Sequence, residues 1–552
     1  MLRYSPRCCF WLVHGLTARV RADFFDFLLV YRLDFLSKQY YTIIKKRNFY
    51  QYIDVISLQY YMCGDNMSIV SEEQVIKVMR QYNPWWKNQS VIREDSKPYK
   101  RLAFYKAVEI LDCRSIRRFL LLSGARRVGK TTIMYQLIEK LLSDGVNPRN
   151  ILYISFDNPI IKLESTENIL HIFETLYPTD GMKYVFFDEI QYAENWELWL
   201  KVIYDSRKDI SLTATGSASP ILEKGSAESG TGRWTVLKIP TLSFYEYCQL
   251  LQLKTPELPD GIRITDLAGM TSSQIGDIVE QFSHLTGHFN RYLMIGGFPE
   301  LVLSDDDNYA QRMLREDVVD KVIKRDVLTL FNIRNPLLME KLFLYLCINS
   351  SEIFNAATAA KELENITVNT IDNYIDALEM SNLIYVSKPV GVGSKSALKG
   401  KPKIYIADAA IRNAVLMVED VLSDEAELGI MAETTVYKHL VSFYQNSPAV
   451  LGYYRKLKDN QKEVDVVIEL PREKILCEVK YKNNSHIPVN DAIVELCNDE
   501  STRIKSAFLI TKRQEDFGIS RHTTKVPIMR IPAIVFLYML GKLEAEGMNG
   551  KL

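Results

Sequence analysis

The run Gly124-Ala125-Arg126-Arg127-Val128-Gly129-Lys130-Thr131-Thr132 sets two glycines ahead of a lysine and two hydroxyls. Polyphosphate chemistry asks for this arrangement. Glycines let backbone N–H groups close on phosphate oxygens, the Lys130 ammonium reaches the β- and γ-phosphates of ATP, and the Thr131 hydroxyl ligates Mg²⁺. The apolar run Arg118–Ser123 ends at Gly124, and after Lys130 the pattern turns helical through Leu142. Strand, loop and helix therefore come in the order a phosphate loop needs.

A second group follows at Phe187-Asp188-Glu189. Asp188, at the end of an apolar strand, is the expected partner of Thr131 in the Mg²⁺ shell, and Glu189 is placed to polarise the attacking water. Thr215-Gly216-Ser217 ends a later strand, where a hydroxyl is read as a sensor of the γ-phosphate, with Ser217 counted among the nucleotide-binding residues, or, otherwise, as part of an ordinary turn. Arg233, after the Gly/Ser-rich loop 224–232, has the charge of an arginine finger, with a plain surface arginine as the competing reading.

Near the C-terminus Glu433, Asp465, Glu478 and Lys480 raise a second metal site. On adjacent strands Asp465 and Glu478 can face each other, and period-two alternation puts Glu478 and Lys480 on one face. Carboxylates with a lysine suit a Mg²⁺-dependent phosphodiesterase, and Asp followed by Glu-x-Lys resembles the restriction-endonuclease-like motif. Such a fold keeps or loses its chemistry, and both outcomes stay open.

The elements that must hold these residues are legible. Strands are predicted at Ile151–Phe156, Tyr184–Phe187, Ile210–Ala214 and Thr235–Ile239, with helices at Glu167–Leu176 and Trp196–Ser206 between them. The fold class is α/β, a parallel sheet with helices on both faces. Residues 336–410 read as helix, helix, helix and strand (Leu337–Ile348, Asn355–Leu363, Thr367–Met380, Leu383–Val386), which is winged-helix order. The last of these helices carries Asp372, Asp376 and Glu379 without a cation, so nucleic-acid contact competes with a structural or protein-docking role. Lys395, Lys399, Lys401 and Lys403 are placed in the wing that follows, either gripping phosphates or lying solvated.

The whole chain sets limits. Its 552 residues call for several domains, its formal charge of zero gives no global pull toward nucleic acid or membrane, and its eight cysteines form no C-x-x-C pair. No apolar run reaches the roughly 20 residues of a membrane span, so a cytoplasmic protein is expected. Residues 1–66 contain no Glu and no clear periodicity. They read as an extension that is not translated, with the start at Met67 and a helix capped by Ser71, or as a small helical appendage.

These blocks resemble an AAA-type ATPase family whose members carry a C-terminal domain of unknown function, number 4143. The resemblance runs from about Trp85 to the end, through Gly124–Thr132, Phe187–Gln191, Trp196, Thr215–Ser217, Gly232-Arg233, Leu242–Tyr247 and Gly296–Glu300. It implies an ATPase core, a helical segment, a winged-helix-like segment and a nuclease-like fold, and it implies no particular substrate. The chain departs from the family pattern in residues 1–66 and in a long stretch from Leu251 to Phe289. The expected division is 67–250 ATPase, 251–335 helical connector, 336–410 winged-helix-like and 411–552 nuclease-like. The expected cofactors are ATP and Mg²⁺. The expected activity is a nucleotide-driven switch on nucleic acid, with an ATP-regulated protein-interaction module as the rival, and the oligomeric state is open.

Overall fold

A computed structural model describes residues 70–552 except 92, 114, 217–231, 332, 334, 364–365, 391–399, 419–420 and 457–461. The readings for residues 1–66, Ser217, Lys395 and Lys399 lie outside the described residues. Ser71 closes a capping box on the helix Glu72–Tyr82, with Glu72 and Glu73 in its first turn.

Five parallel strands form the first sheet: β1 (Phe119–Ser123), β2 (Ile151–Ser155), β3 (Lys183–Asp188), β4 (Ile210–Gly216) and β5 (Trp234–Lys238), in the order β2-β3-β4-β1-β5. Every residue of β1 is buried, as a strand covered on both faces requires. The order sets β4 between the strand that feeds the phosphate loop and the strand that ends in Asp188. The carboxyl end of β4 therefore opens between the two chemical groups.

A second sheet, β13-β14-β12-β11-β10-β9-β7-β8-β6, runs through the rest of the chain. Its β6 (Glu352–Ile353), which follows the helix Pro336–Ile348, and β7 (Ile384–Pro389) and β8 (Lys403–Ile406), which follow the helices Ala356–Glu362 and Val368–Met380, form an antiparallel edge. β7 also pairs in parallel with β9 (Val450–Arg455), which joins that edge to β10 (Glu463–Glu469), β11 (Lys474–Lys480), β12 (Ile504–Thr511), β13 (Gly518–Ile519) and β14 (Ile528–Pro532). Helices Glu425–Tyr444 and Ala533–Ala545 bury one face of this sheet, and Ala492–Asn498 covers the other.

The apolar cores do not follow the expected boundaries. Leu242 to Ile295, with Val302, shares a core with the C-terminal helices, whereas Phe298, Leu301 and Leu314 to Val327 pack with the ATPase sheet and the helix Pro336–Ile348. The region 251–335 is thus divided between two cores and is not one connector. From Asp307 to Phe331 the chain is helical, and it widens into i→i+5 turns over Leu314–Asp320 and Val322–Val327.

Candidate nucleotide site

Gly124 has no room for a side chain, since a Cβ there would lie 2.3 Å from the Ile239 carbonyl oxygen. Gly129 caps the helix Lys130–Ser143 at φ +93°, where glycine is unstrained. Lys130 is buried and its Nζ donates to the carbonyls of Gly124 and Ala125, each at 2.9 Å. Burial pulls its pKa below the ordinary lysine value, against the opposing charges of Glu189 and Asp188. The ammonium is folded back on its own loop.

Asp188 is the hub of the second group. Its Oδ2 accepts from Thr131 Oγ1 at 2.9 Å and Tyr153 Oη at 2.8 Å, and its Oδ1 accepts from Thr215 Oγ1. Thr215 in turn accepts from the Glu189 backbone N–H at 2.9 Å. The hydroxyl at the end of β4 therefore ties Asp188 to Glu189. Glu189 stands in the left-handed region at φ +51°, a conformation of order 1 kcal/mol that surrounding structure must hold. Burial raises its carboxyl pKa; Lys130 pulls against that rise and Asp188 adds to it. Gln191 donates to its Oε2.

The two loop arginines are each held by carboxylates from outside the loop. Arg126 makes a two-pronged ion pair with Asp326, both contacts at 2.6 Å, and Asp326 also accepts from Tyr192 Oη at 2.9 Å. Arg127, at φ +61°, pairs with Asp317 at 2.5 Å and with Glu300. The wide-turned helix and the Gly296–Glu300 block thereby hold the phosphate loop from outside the ATPase sheet. Arg101, buried, donates to Val128 O at 2.8 Å and Pro240 O at 2.9 Å and grips Glu246 with Nε and Nη2 at 3.1 and 2.9 Å. Glu246 also closes a capping box with Ser243.

Behind this, Lys438 Nζ reaches Asp408 Oδ2 at 2.9 Å and Tyr292 Oη at 2.8 Å, and Thr241 Oγ1 donates to the same Asp408 oxygen at 2.7 Å. Leu242 N donates to Gly297 O at 2.7 Å. The Leu242–Tyr247 and Gly296–Glu300 blocks thus meet each other, and through Arg101 and Arg127 they meet the phosphate loop.

Arg233 departs from its expected place. It precedes β5, pairs with Asp205 at 3.0 Å, and its carbonyl accepts from Phe119 N at the amino end of β1. The phosphate loop leaves the carboxyl end of β1, about 16 Å away for five residues of strand. Arg233 does not serve the phosphate site of its own chain. Arg101, Tyr153, Asp317 and Asp326 reach the site and carry no local sequence signal that marks them, whereas Thr215 lies in the block whose hydroxyl is read as a sensor.

In the C-terminal region, Glu433 Oε1 and Asp465 Oδ1 come together at Lys403 Nζ, at 2.7 and 3.1 Å, and Glu463 Oε1 joins them at 2.8 Å. Lys403 opens β8 with 3% of its side chain exposed, so it is not a solvated wing lysine; Lys401 is exposed. The β9–β10 register shifts between Val464 and Val467. Asp465 N donates to Glu478 Oε2 at 3.2 Å, and Val479 N donates to Asp465 Oδ2 at 2.9 Å. Lys480 pairs with Glu478. Burial first, then the Asp465 charge, raise Glu478 to about 8 and Glu433 to about 7, with Lys480 and Lys403 opposing.

Comparisons with known proteins show what the chain is similar to. Family models match in succession: an AAA domain over residues 116–248, the domain of unknown function DUF8612 over 286–422 and the domain of unknown function DUF4143 over 428–531. An uncharacterized protein of Haemophilus influenzae is 24% identical over 299 residues, which is 53% of this chain and 67% of that protein. One uncharacterized protein of Methanocaldococcus jannaschii is 26% identical, covering 52% of this chain and 59% of its own length, and another is 27% identical, covering 66% and 75%. Among solved structures, the Aeropyrum pernix ORC1 protein in complex with DNA is similar at 14% identity and a TM-score of 0.28, covering 58% of this chain and 93% of that one. The AAA domain match makes the phosphate-loop site a nucleotide-binding site. Among the described residues no helix is long and apolar enough to cross a membrane.

Proposed function

Since the chain carries an AAA domain followed by DUF4143, we propose that it is a Mg²⁺-dependent ATPase working as a nucleotide-driven switch on nucleic acid. One observation carries the switch: the arginines inside the phosphate loop are held by Asp317 and Asp326, on a helix that shares a core with the module downstream. A change at the phosphates that draws on Arg126 or Arg127 must loosen that helix.

The donor set fits Mg²⁺, because the Thr131 hydroxyl and Asp188 carboxylate lie together as hard oxygen ligands. When bound, the ion offsets the charge on the β- and γ-phosphates. Lys130 exchanges its two carbonyl partners for phosphate oxygens. Glu189 orients a water and accepts its proton as the bond from the γ-phosphorus to the ADP oxygen breaks. Helix, short strand, two helices and two antiparallel strands between Pro336 and Ile406 support a winged-helix reading of the middle module, which is the ground for nucleic acid as the target.

A second reading, an ATP-regulated protein-interaction module with an inactive nuclease-like domain, is favoured by two features. The exposed face of Val368–Met380 bears Asp372 and Asp376, and the wing lysine Lys403 is buried among carboxylates. Phosphate release measured for the wild type, Lys130→Ala and Glu189→Gln, with and without single-stranded DNA, duplex DNA and RNA, tests both. Turnover by Lys130→Ala at the wild-type rate refutes the ATPase assignment. Turnover that no nucleic acid changes favours the interaction module.

A further inference from the structure

The three carboxylate oxygens around Lys403 Nζ stand at 2.7, 2.8 and 3.1 Å. That is the spacing of an ammonium donating three hydrogen bonds, wider than the roughly 2.0–2.6 Å shell of Mg²⁺ or Ca²⁺. The lysine is fixed from behind, because it pairs with Ser387 of β7 and Ile353 of β6 in the sheet. Neighbouring acceptors are engaged as well: Asp465 Oδ2 by Val479 N, Glu478 Oε2 by Asp465 N and Glu478 Oε1 by Lys480, while Glu433 Oε1 accepts a second bond from Tyr405 Oη at 2.8 Å. Among the described residues, no group of three or more His, Cys, Asp or Glu side chains is disposed to hold a metal ion. Mg²⁺, which a nuclease-like fold would call for here, does not fit the site as it stands.

We infer that Lys403 is the resident cation of the C-terminal carboxylate site: it excludes divalent ions while in place, and its removal turns Glu433, Glu463 and Asp465 into a divalent-cation site. The lysine comes from the β6–β7–β8 edge and its partners from the module that follows, so the same ion cluster bolts the two modules together. Replacing one partner of a buried cluster is costly because it leaves uncompensated charge, and here a metal is the natural compensation. The inference rests on neither ATP turnover nor nucleic-acid binding.

The test is Mn²⁺ titration of the nucleotide-free full chain, reading free Mn²⁺ by electron paramagnetic resonance. Every protein carries Asp188→Asn, which removes the nucleotide site's contribution. With Lys403 present, no Mn²⁺ should bind that depends on Asp465 at millimolar concentration. Lys403→Met or Lys403→Gln should gain one bound Mn²⁺, lose it on adding Asp465→Asn, and show a thermal midpoint that rises with Mn²⁺. One equivalent bound with Lys403 in place and lost on Asp465→Asn would overturn the inference, whether or not the Lys403 variants fold. So would folded Lys403 variants that bind none.

Discussion

Replacing Arg101 by methionine removes a guanidinium that joins three segments far apart in sequence: Val128 in the phosphate loop, Pro240 after β5, and Glu246 in the Leu242–Tyr247 block. The side chains of Arg101 and Glu246 are 6% and 5% exposed, so neither is rescued by water. Burial opposes ionisation of Glu246, and the Arg101 charge holds its carboxyl below the usual range. With the arginine gone, the carboxylate keeps only the backbone donors Leu102 N and Ser243 N, both at 3.1 Å. Breaking a buried pair by removing one partner costs about 3–5 kcal/mol. Two carbonyls lose their donor as well, which places Arg101→Met toward the upper end. Glu246→Gln should recover part of the loss in the double variant, with a coupling of about 1–3 kcal/mol. The assay is urea unfolding followed by tryptophan fluorescence, since Trp85, Trp86, Trp196 and Trp234 all lie in the core around the first sheet. ATP binding by the folded fraction should weaken, because the Val128 carbonyl is released inside the phosphate loop. A loss below about 1 kcal/mol, or single-variant effects that add in the double to within about 0.5 kcal/mol, would refute this reasoning.

Glu189→Gln should retain ATP and Mg²⁺ but slow phosphate release by about 100-fold or more, since the proton acceptor is lost while Thr131 and Asp188 stay; normal release in single-turnover kinetics excludes Glu189 as the base. Asp326→Ala should free Arg126 and Tyr192, lower stability by about 3 kcal/mol, and tighten ATP binding several-fold by ending competition for the guanidinium; an unchanged Kd in a fluorescent-nucleotide titration counts against the clamp. His439 is buried and neutral, with Nε2 accepting from Phe244 N at 3.0 Å; burial, then the Lys438 charge, depress its pKa to about 3. The folded value lies below the unfolded one of about 6.5, so this stability is present above pH 6.5 and is lost as pH falls, by up to about 1.4 kcal/mol per unit. The thermal midpoint should therefore drop between pH 6.5 and 5, and His439→Gln should flatten that drop.

What could be read from the chain depended on how local the signal was. β1 and β3 are continuous apolar runs that stop at chemical residues, so Lys130, Thr131, Asp188 and Glu189 were visible with their supporting elements. Thr215 is legible as a hydroxyl at the end of a strand, but not as the partner of Asp188. Its bond to Asp188 follows from β4 lying between β1 and β3, a matter of sheet order that no local pattern carries. Arg101 and Asp326 find their partners 145 and 200 residues away. Lys403 misled because its basic neighbours set the composition of a wing, whereas its burial is decided by the register of β8 against β7. Arg233 stands out by its charge and its glycine neighbour, but it comes just before a strand of a parallel sheet, which is the end opposite the phosphate loop, so the expected strand order already argues against it.

The pitch of one helix sets the grip on the phosphate loop. Asp317 and Asp326 are nine residues apart, and both reach loop arginines. At 3.6 residues per turn, nine residues make about two and a half turns and put the two carboxylates on opposite sides. Over Leu314–Asp320 and Val322–Val327 the i→i+5 bonds put more residues into each turn, which carries Asp326 round toward the side of Asp317. The wide turns between Leu314 and Val327 thus set where the two carboxylates stand around the helix axis, and with it the grip on Arg126 and Arg127.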